Sequence, residues 1–492
     1  MYRRVMCMIF VLLLSASAAG CGRTAEKTTT ETAVETAEMA PETDDGTETE
    51  DVRGGVSDGL PEKDYEGYTF TFYLRDTHYS DFVAEEASAE IVAEAVYMRN
   101  LTVCERFNVE FAYNYDESGN TTYNTTAAIS IEAGEDANDI LAEHGAYIFQ
   151  HTKKGYLLDW IDNMPWCDLE APWWDKDFTD NMTIAGKLFG MTGDISYKSI
   201  GSSYCFLVNR DMLKILGLPL PYDDVRAGTW TFDQFLSMAE TAIADLDGDG
   251  VITEGKDRFA MYGESSWSFP VASFYMDGSA VISVDTDGVP QLTLYNERNQ
   301  EILERTTAFC RQPGVYIPDL RPKIDGDLFR NGQALFASAK VMHLERYRDL
   351  EADIGILPYP KYEESASRYY CLVDAGENVF GIPVTASDTE RTSVIVEAMA
   401  AEGYRSVVPV YYEQALKTKY SRDSDSADIL EIIRDSRYFD YGYYDNTIDR
   451  FLSYIGRFLM LEDAGLASYY KSKENGALQA LEEVYRIYQE VE

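Results

Sequence analysis

The most informative pattern of hydrophobic and polar positions lies between Gly201 and Leu236, in GSSYCFLVNRDMLKILGLPLPYDDVRAGTWTFDQFL. Its unbroken aromatic and apolar run from Tyr204 to Val208 predicts a short strand buried on both faces. From Asp211 to Leu216 the apolar spacing predicts a short helix, and the glycine and prolines that follow favour its end there. Thr231, with glutamine three residues later, forms a capping-box pattern, so a second helix is expected from Phe232.

The pattern near the start of the body predicts a parallel α/β unit. An alternating run from Tyr68 to Leu74 predicts a first strand, Ser88 to Phe107 a long helix, and Val109 to Tyr113 a second strand. In such units ligands bind beyond the carboxyl ends of the strands. The residues of the loop after the first strand that we expect to face a ligand are Asp76, His78 and Tyr79.

The following segments carry further predictions of the same kind. Asp180 to Ser196 is interpreted as a strand pair with a Gly-Asp turn, and Val281 to Leu294 as a hairpin about Asp287-Gly288. Asn299 to Phe309 is predicted to be a helix. The small and apolar run from Ala334 to Met342 predicts a strand that passes closely beside another.

The N-terminus has the pattern of a secretory signal. Arg3 and Arg4 precede the apolar run from Val5 to Leu14, and small residues follow up to Cys21. The run is too short for a membrane-spanning helix. Ala18-Ala19-Gly20-Cys21 resembles a bacterial lipobox, which implies a signal peptide over residues 1–20 and a lipid on Cys21. The alternative is an ordinary secretory signal with an incidental cysteine.

The next segment differs in composition from the rest of the chain. Residues 21–64 are dominated by Thr, Glu, Asp and Ala and contain almost no large apolar side chain, so we predict a disordered acidic tether. The remainder, from Tyr65 to Glu492, is too long for one core, because single cores stop growing at roughly 250–300 residues. We therefore expect two lobes.

Charge, cysteine and histidine content exclude several function classes. The chain has 85 acidic and 42 basic residues, a net charge of −43, which argues against nucleic acid or anionic lipid as a partner. Beyond Cys7 and Cys21 the five remaining cysteines fit no zinc spacing and are expected to pack as small hydrophobes, although one or two disulfides of unknown connectivity stay open. The four histidines form no metal-binding pair and are expected to be structural or exposed.

One loop has the spacing of a calcium site. In DLDGDGVITEGKD, residues 245–257, three aspartates alternate before a glycine, as in an EF-hand loop. The twelfth position is Lys256 instead of glutamate, so we predict a loop closed by Asp257 or by a distant carboxylate, with a metal-free Asp-Gly turn as the alternative. A structural calcium ion is the one cofactor expected. The predicted ligands are Asp245, Asp247, Asp249, Val251 and Asp257.

The order of these segments resembles that of extracellular solute-binding proteins of carbohydrate ABC transporters, of the maltose-binding-protein type. The resemblance rests on Gly201–Leu236, on GYLLDW at 155–160 and on IGILPYP at 354–360. It implies an α/β, two-lobed periplasmic-binding-protein-like fold of type II with three hinge crossings. The first crossing would precede Tyr204 and the second would lie at Ala334–Met342. The implied lobes are 65–203 with 341–402, and 204–340 with 403–492.

The same resemblance implies a ligand cleft between the lobes. Trp267, in GESSWSFPVASFYMD, is the leading candidate for stacking on a sugar ring, and Glu345 and Arg346 follow a buried run. Trp166, Trp173 and Trp174 could also stack on a sugar ring, but packing under a long loop is the preferred interpretation. Trp230 is interpreted as packing the start of the second lobe. The complete set of expected ligand-binding residues is Asp76, His78, Tyr79, Asp194, Trp267, Glu345, Arg346, Asp374 and Asn378.

The function implied by the resemblance is that of a cell-surface lipoprotein. It would capture a sugar or oligosaccharide between its lobes and deliver it to the permease subunits of an ABC transporter. We expect a monomer, anchored on the extracellular face of the cytoplasmic membrane, and not an enzyme. The alternative is a secreted carbohydrate-active enzyme with two catalytic carboxylates, against which the absence of a nucleophile motif weighs.

Overall fold

The computed structural model describes residues 53–86, 88, 90–116, 120–318, 320–416, 424–445 and 466–490. The predicted signal peptide and Cys21 lie outside the described residues. The strands are β1 (Tyr68–Arg75), β2 (Val109–Asp116), β3 (Ile140–His144), β4 (Leu157–Leu158), β5 (Tyr204–Asn209), β6 (Phe259–Gly263), β7 (Ile282–Val284), β8 (Pro290–Leu292), β9 (Val315–Tyr316), β10 (Ala334–Lys340), β11 (Ile354–Leu357), β12 (Cys371–Leu372), β13 (Asn378–Pro383) and β14 (Arg437–Tyr438).

Helices alternate with these strands over most of the described chain. They are α1 (Ile91–Phe107), α2 (Asn120–Glu132), α3 (Gly145–Thr152), α4 (Trp160–Asn163), α5 (Lys176–Met182), α6 (Lys198–Gly201), α7 (Arg210–Leu216), α8 (Tyr222–Ala227), α9 (Phe232–Ala242), α10 (Phe269–Ala272), α11 (Glu297–Cys310), α12 (Thr389–Glu402), α13 (Val408–Leu416), α14 (Ser424–Asp435), α15 (Tyr441–Tyr444) and α16 (Leu466–Glu490). Tight helical turns occupy Asp76–Asp81, Ser273–Asp277, Val341–Tyr347 and Gly403–Val407.

The first sheet has the strand order β2-β1-β3-β13-β4. β1 runs parallel to β2 and β3, whereas β13 is antiparallel to β3 and β4. Phe70 and Phe72 of β1 are fully buried. The predicted strand–helix–strand order at the start of the body is therefore confirmed.

The second sheet has the order β11-β5-β10-β6-β9. Its strand β5 is buried at every position from Tyr204 to Asn209, as its aromatic and apolar run predicted. Gly217 ends α7 in the left-handed conformation, with φ of 66°. Thr231 caps α9 through the predicted capping box with Gln234. The local signals of this stretch therefore specified its elements correctly.

The chain passes between the sheets at three places. Before β5, Ser203 forms an antiparallel bridge with Val373, which follows β12, so two passages lie side by side. The third passage runs through α13, because α12 packs on α1 whereas α14 packs on β11 of the second sheet. β14 pairs in parallel with β12, next to the passage at Val373.

The predicted second crossing at Ala334–Met342 is wrong. These residues form β10, which lies between β5 and β6 inside the second sheet, and the chain then turns back into β11 of the same sheet. The run of small apolar residues is typical of a strand covered on both faces, and this property does not distinguish a central strand from a crossing. The second crossing lies at 371–374, so residues 354–357 belong with the second sheet and not with the first lobe.

The end of the chain is also divided differently from the prediction, which assigned 403–492 to the second lobe. Tyr441 of α15 packs with a tilted ring against Phe149 of α3, beside the first sheet, with ring centroids 5.3 Å apart. Tyr488 of α16 packs against Phe189 and Tyr441. Aromatic contacts between residues so distant in sequence leave no local signal.

The segment from Asp180 to Ser196, predicted as a strand pair, is mostly irregular. α5 runs to Met182, and the remaining residues make only isolated bridges, such as Met191 with Phe380 of β13. The alternation of polar and apolar residues there reflects burial against β13. The predicted hairpin about Asp287-Gly288 is confirmed by the pairing of β7 with β8.

Residues 53–64 pack on the folded body, which corrects the predicted extent of the disordered tether. Asp58 lies 2.6 Å from Arg106 of α1 and 3.3 Å from Arg405. Arg405 Nε also donates to the carbonyl of Val56 at 2.9 Å. Composition predicted disorder because large apolar residues are few, but ion pairs with arginines far along the chain order this part.

Aromatic and cysteine side chains fill the interior. Trp173, Trp174 and Trp230 are buried, as expected of packing residues, and Trp230 Nε1 donates to the carbonyl of Pro358 at 3.2 Å. The five cysteines of the described chain, Cys104, Cys167, Cys205, Cys310 and Cys371, are free thiols. In the described part of the chain no helix combines the length and apolarity that crossing a bilayer requires.

Candidate functional site

The carboxyl ends of the parallel strands of both sheets point toward the crossing segments. β1 ends at Arg75 and β3 at His144, beside the start of the antiparallel β13. In the second sheet β10 ends at Lys340 and β6 at Gly263. The backbone N–H of Val341 donates to the carbonyl of Ser203 in the first crossing at 3.0 Å. These edges define the candidate cleft.

Asp374 lies at the centre of this region, in the second crossing. Its carboxylate lies 3.5 Å from Lys340 Nζ and accepts a hydrogen bond from the Tyr204 hydroxyl at 2.5 Å. Burial would raise the pKa of Asp374, but Lys340, Tyr204 and the N–H of Gly376 together lower it. The predicted residue Asp374 is therefore an ionised group that connects the first crossing, the second crossing and the end of β10.

The first sheet contributes residues of β1 and of the helical turn after it. Arg75 Nη1 donates to the carbonyl of Gly376 at 2.6 Å, which attaches the end of β1 to the second crossing. Burial, together with the positive charges of Arg75 and Lys198, lowers the pKa of His78 to about 2, so its imidazole is neutral at physiological pH. Tyr79 is 50% exposed. Asp76 belongs to the same turn.

The second sheet contributes a charged group at the end of β6. Glu264 contacts His343 Nδ1, and its Oε1 lies 3.3 Å from Arg346 Nη1. His343 also accepts a hydrogen bond from the N–H of Lys340 at 3.4 Å. The predicted residue Arg346 therefore lies beside the ends of β6 and β10, at the second-sheet side of the cleft.

Two further predicted residues of this side are less constrained. Trp267 is partly buried in the turn after β6, where its backbone N–H donates to Ser265 Oγ at 3.2 Å. Glu345 is exposed and lies 3.2 Å from Arg348, three residues further along the same turn. Both positions follow strand ends, so both are compatible with contact to a ligand.

Asp194 and Asn378 have structural environments. Asp194 is fully buried, and its Oδ2 lies 2.8 Å from Arg434 of α14. Asn378 begins β13 opposite His144, but its side chain is buried and its Nδ2 donates to Ser196 Oγ at 3.5 Å. Asp194 therefore contributes to a buried ion pair with α14. The side chain of Asn378 is directed into the interior, although its backbone lies at the cleft edge of the first sheet.

Sequence reasoning missed several polar residues of the cleft. Five of them lie at or just after the carboxyl ends of strands, where the carboxyl-end rule could have found them, whereas Tyr204 begins the antiparallel β5. The five were missed because the histidines were expected to be structural or exposed, and because the buried run of β10 was extended past its polar end. The missed residues are Arg75, His144, Tyr204, Glu264, Lys340 and His343.

The predicted calcium loop brings three of its carboxylates together. Oxygens of Asp245, Asp247 and Asp257 lie within 4.8 Å of one another. Asp257 is buried and accepts the N–H groups of Leu246 and Thr253, both at 2.7 Å. Hard oxygen ligands of this kind suit Ca²⁺.

Other contacts compete for the same carboxylates. Lys256 Nζ lies 2.8 Å from Asp247 and 3.5 Å from Asp249. Asp249 Oδ1 accepts the N–H of Val251 at 2.9 Å. The loop is therefore preshaped around oxygen atoms, with a lysine where the twelfth ligand of an EF-hand would be.

A separate crevice of about 600 Å³ is lined by three arginines, each of which is paired with an aspartate. Arg437 lies 2.9 Å from Asp175, Arg434 lies 2.8 Å from Asp194 behind the lining, and Arg368 pairs with Asp177. Its lining residues come from α5, α14, β14 and neighbouring loops, and none comes from the strand ends that define the candidate cleft. The charges of these arginines are already balanced.

No protein-family model matches the sequence, and no curated protein matches it. Solved structures do match. An ABC substrate-binding protein from Listeria monocytogenes in complex with cycloalternan has 15% identity and a TM-score of 0.52, covering 85% of this chain and 99% of its own. A sugar transporter from Rhizobium etli in an open conformation has 14% identity and a TM-score of 0.54, covering 87% and 100%.

A cyclo/maltodextrin-binding protein complexed with maltotetraose has 12% identity and a TM-score of 0.53, covering 88% of this chain and 97% of its own. At such identities the likeness establishes the fold. The predicted resemblance is thus confirmed at that level: the chain has the two-lobed α/β fold of periplasmic-binding-protein-like solute-binding proteins.

Proposed function

We propose that this chain captures a sugar or oligosaccharide between its two lobes and delivers it to the permease of an ABC transporter. The observation that carries the proposal is the convergence of polar side chains from both sheets on the crossing segments, with Lys340 and Tyr204 held on Asp374. The matched structures, which include complexes with cycloalternan and maltotetraose, support a carbohydrate ligand.

The lobes would close around the ligand by a hinge motion. Contacts to both lobes are available only in the closed form, so ligand binding shifts the population toward closure. Carboxylate, guanidinium and imidazole groups can bind the hydroxyls of a sugar, and the partly exposed rings of Tyr79 and Trp267 can cover its apolar face. Binding, and not bond cleavage, is the proposed role of these groups.

The proposed location is the extracellular face of the cytoplasmic membrane, with a lipid on Cys21 as the anchor. The lipobox-like sequence before Cys21 and the acidic, apolar-poor residues that follow support this arrangement. Arg53 lies 2.5 Å from Glu431 of α14 and so belongs to the folded body, which makes the proposed tether shorter than residues 21–64.

A screen of oligosaccharides tests the proposed function directly. We expect at least one sugar to raise the melting temperature without being converted, as judged by chromatography of the incubated ligand. Release of cleaved products would instead support the alternative, a carbohydrate-active enzyme. Stabilisation by none of a broad panel would contradict the proposal.

Trp267→Ala and Arg346→Ala are each expected to weaken binding of the sugar found in that screen by roughly tenfold, about 1.4 kcal/mol. Trp267→Ala removes a stacking surface after β6, and Arg346→Ala removes a guanidinium beside Glu264. Isothermal titration calorimetry measures both. The matched controls are Trp166→Ala, also partly buried, and Arg486→Ala, on the exposed face of α16. Wild-type affinity in both test variants would mean that the cleft is misplaced.

We also propose that the loop 245–257 binds a structural calcium ion through Asp245, Asp247 and Asp257, with Asp249 and the carbonyl of Val251 as further ligands. The cluster of oxygens within 4.8 Å supports this, whereas the contact of Lys256 with Asp247 opposes it. A bound ion would have to displace that ammonium. Its role would be to fix the loop between α9 and β6.

A chelator is expected to lower the melting temperature of the calcium-loaded protein by several degrees, because an ion that binds only the folded state stabilises it by mass action. Asp245→Asn should abolish the chelator effect, whereas Asp223→Asn, an exposed aspartate elsewhere, should not. Differential scanning calorimetry and elemental analysis provide the readouts. Unchanged melting together with absence of bound metal would exclude the site.

A further inference from the structure

The cleft concentrates basic groups in an acidic protein. Three of the four histidines of the chain, whose net charge is −43, lie at its edges: His78 after β1, His144 at the end of β3 and His343 after β10. Lys340 ends β10 and Arg75 ends β1. The end of each of these strands therefore carries or is followed by a basic residue.

Positive groups from several elements act on the same point of the cleft. After burial, the interactions that lower the pKa of His78 come from four basic side chains, those of Arg75, Lys198, His144 and Lys340. They belong to β1, α6, β3 and β10, so both sheets contribute. Basic side chains from both sheets therefore converge on this point of the cleft.

The carboxylates of the region serve as partners of these cations. Asp81 lies 3.1 Å from Lys198 Nζ, and Asp374 lies 3.5 Å from Lys340 Nζ. Glu264 lies between His343 and Arg346. Asp81, Asp374 and Glu264 hold Lys198, Lys340 and Arg346 in place at the edge of the cleft.

A further carboxyl, that of Glu377, is buried beside the second crossing. Burial raises the pKa of Glu377 well above its usual range, while its Oε1 accepts the Tyr444 hydroxyl at 2.5 Å. A negative group on a ligand would meet cations that their partners fix in place, Lys340 at Asp374 and Arg346 at Glu264.

We infer that the ligand of this cleft is an acidic oligosaccharide, whose uronate carboxylate binds at Lys340 between the two lobes. The inference rests on the proposed function and specifies its substrate class. Lys340 is suited to this role because its ammonium lies beside the second crossing, is partly exposed and can form a charge-assisted hydrogen bond to a second carboxylate. Repulsion from the acidic outer surface is screened beyond about 8 Å at physiological ionic strength.

A binding panel of neutral and acidic sugars tests the inference with the full-length mature protein. The neutral set consists of malto-, cello- and xylo-oligosaccharides, and the acidic set of oligogalacturonates and oligomannuronates. The fully methyl-esterified form of each acidic oligomer keeps the ring and linkage but removes the charge. We expect the best acidic oligomer to bind at least tenfold more tightly than its methyl ester.

Lys340→Gln should reduce affinity for the acidic oligomer at least tenfold and affinity for its ester less than threefold. Lys214→Gln is the matched control, because Lys214 lies on α7, beyond the opposite end of β5, and should change neither value. Melting curves check that both variants fold. Arg346→Gln offers a second charge removal in the cleft should Lys340→Gln be unstable.

The possible outcomes separate the inference from the proposed function. Neutral sugars that bind while acidic ones do not, or esters that bind as tightly as the acids, would overturn the acidic ligand and leave sugar capture intact. If Lys340→Gln lowered the affinity for the acidic oligomer and for its methyl ester equally, Lys340 would not be the residue that binds the carboxylate. Absence of binding to every sugar would overturn both proposals.

Discussion

Asp194→Asn is expected to destabilise the fold by about 3 kcal/mol or more and to leave sugar binding unchanged in the protein that folds. Asp194 is fully buried, and burial raises its pKa, so its ionised form depends on the guanidinium of Arg434 at 2.8 Å. Asparagine would leave Arg434, which cannot lose its proton, largely buried without its carboxylate. Urea unfolding followed by tryptophan fluorescence measures the loss.

Removing the other partner should cost less. In Arg434→Met the carboxyl of Asp194 can take up a proton and become neutral, which a guanidinium cannot do. The double variant Asp194→Leu with Arg434→Met should be more stable than Asp194→Asn alone, because buried ion pairs are often replaced by apolar residues at little cost. If Asp194→Asn kept wild-type stability but lost sugar binding, Asp194 would be a ligand-binding residue and the structural role assigned to it would be wrong.

The free energy of unfolding is expected to fall as pH rises from about 4.5 to about 8, and Glu397→Gln should remove part of that fall. Glu397 of α12 is fully buried, and burial raises its pKa from 4.5 to about 8, although Trp174 Nε1 donates to it at 2.7 Å. Between these pH values the folded state binds the proton and the unfolded state releases it. The stabilisation is therefore complete below pH 4.5 and is lost as pH approaches 8.

Chemical denaturation at pH 4.5, 6 and 8 measures this effect. Glu397→Gln and the wild type should differ least at pH 4.5, and the variant should gain relative stability at pH 8, since each unit of pKa difference is worth about 1.4 kcal/mol. Glu240→Gln, an exposed glutamate on α9, should change little across the range. A pH dependence that is identical in Glu397→Gln and the wild type would mean that this carboxyl is ionised in the fold.

The sequence predicted local elements and the general position of the cleft. The strand at Tyr204, the αL cap at Gly217 and the capping box at Thr231 depend on residues within a few positions of one another. The loop after β1 was predicted to face a ligand because strand order alone locates the carboxyl ends of parallel strands. The turn after β1 does lie beside the second crossing, to which Arg75 is hydrogen-bonded.

Positions that depend on distant partners were not predictable in this way. Asp194 looked like a cleft residue because its partner Arg434 lies 240 positions away. Residues 53–64 looked like tether because Arg106 and Arg405 do not appear in local composition. In both cases a charged residue is expected at the protein surface from its sequence alone. Whether it is buried depends on a partner of opposite charge elsewhere in the chain.

By itself, the sequence determined the α/β class and the strand and helices between Tyr204 and Leu236, because hydrophobic period and capping are properties of short segments. The length of the chain predicted two lobes, and the family resemblance implied the first crossing before Tyr204. Only the tertiary structure decided that β10 lies within the second sheet, that the second crossing lies at 371–374 and that Lys340, Tyr204 and Asp374 meet there. Strand order and side-chain convergence arise from contacts between residues far apart in the sequence, such as Tyr204 and Asp374, 170 positions apart, and no local pattern specifies them.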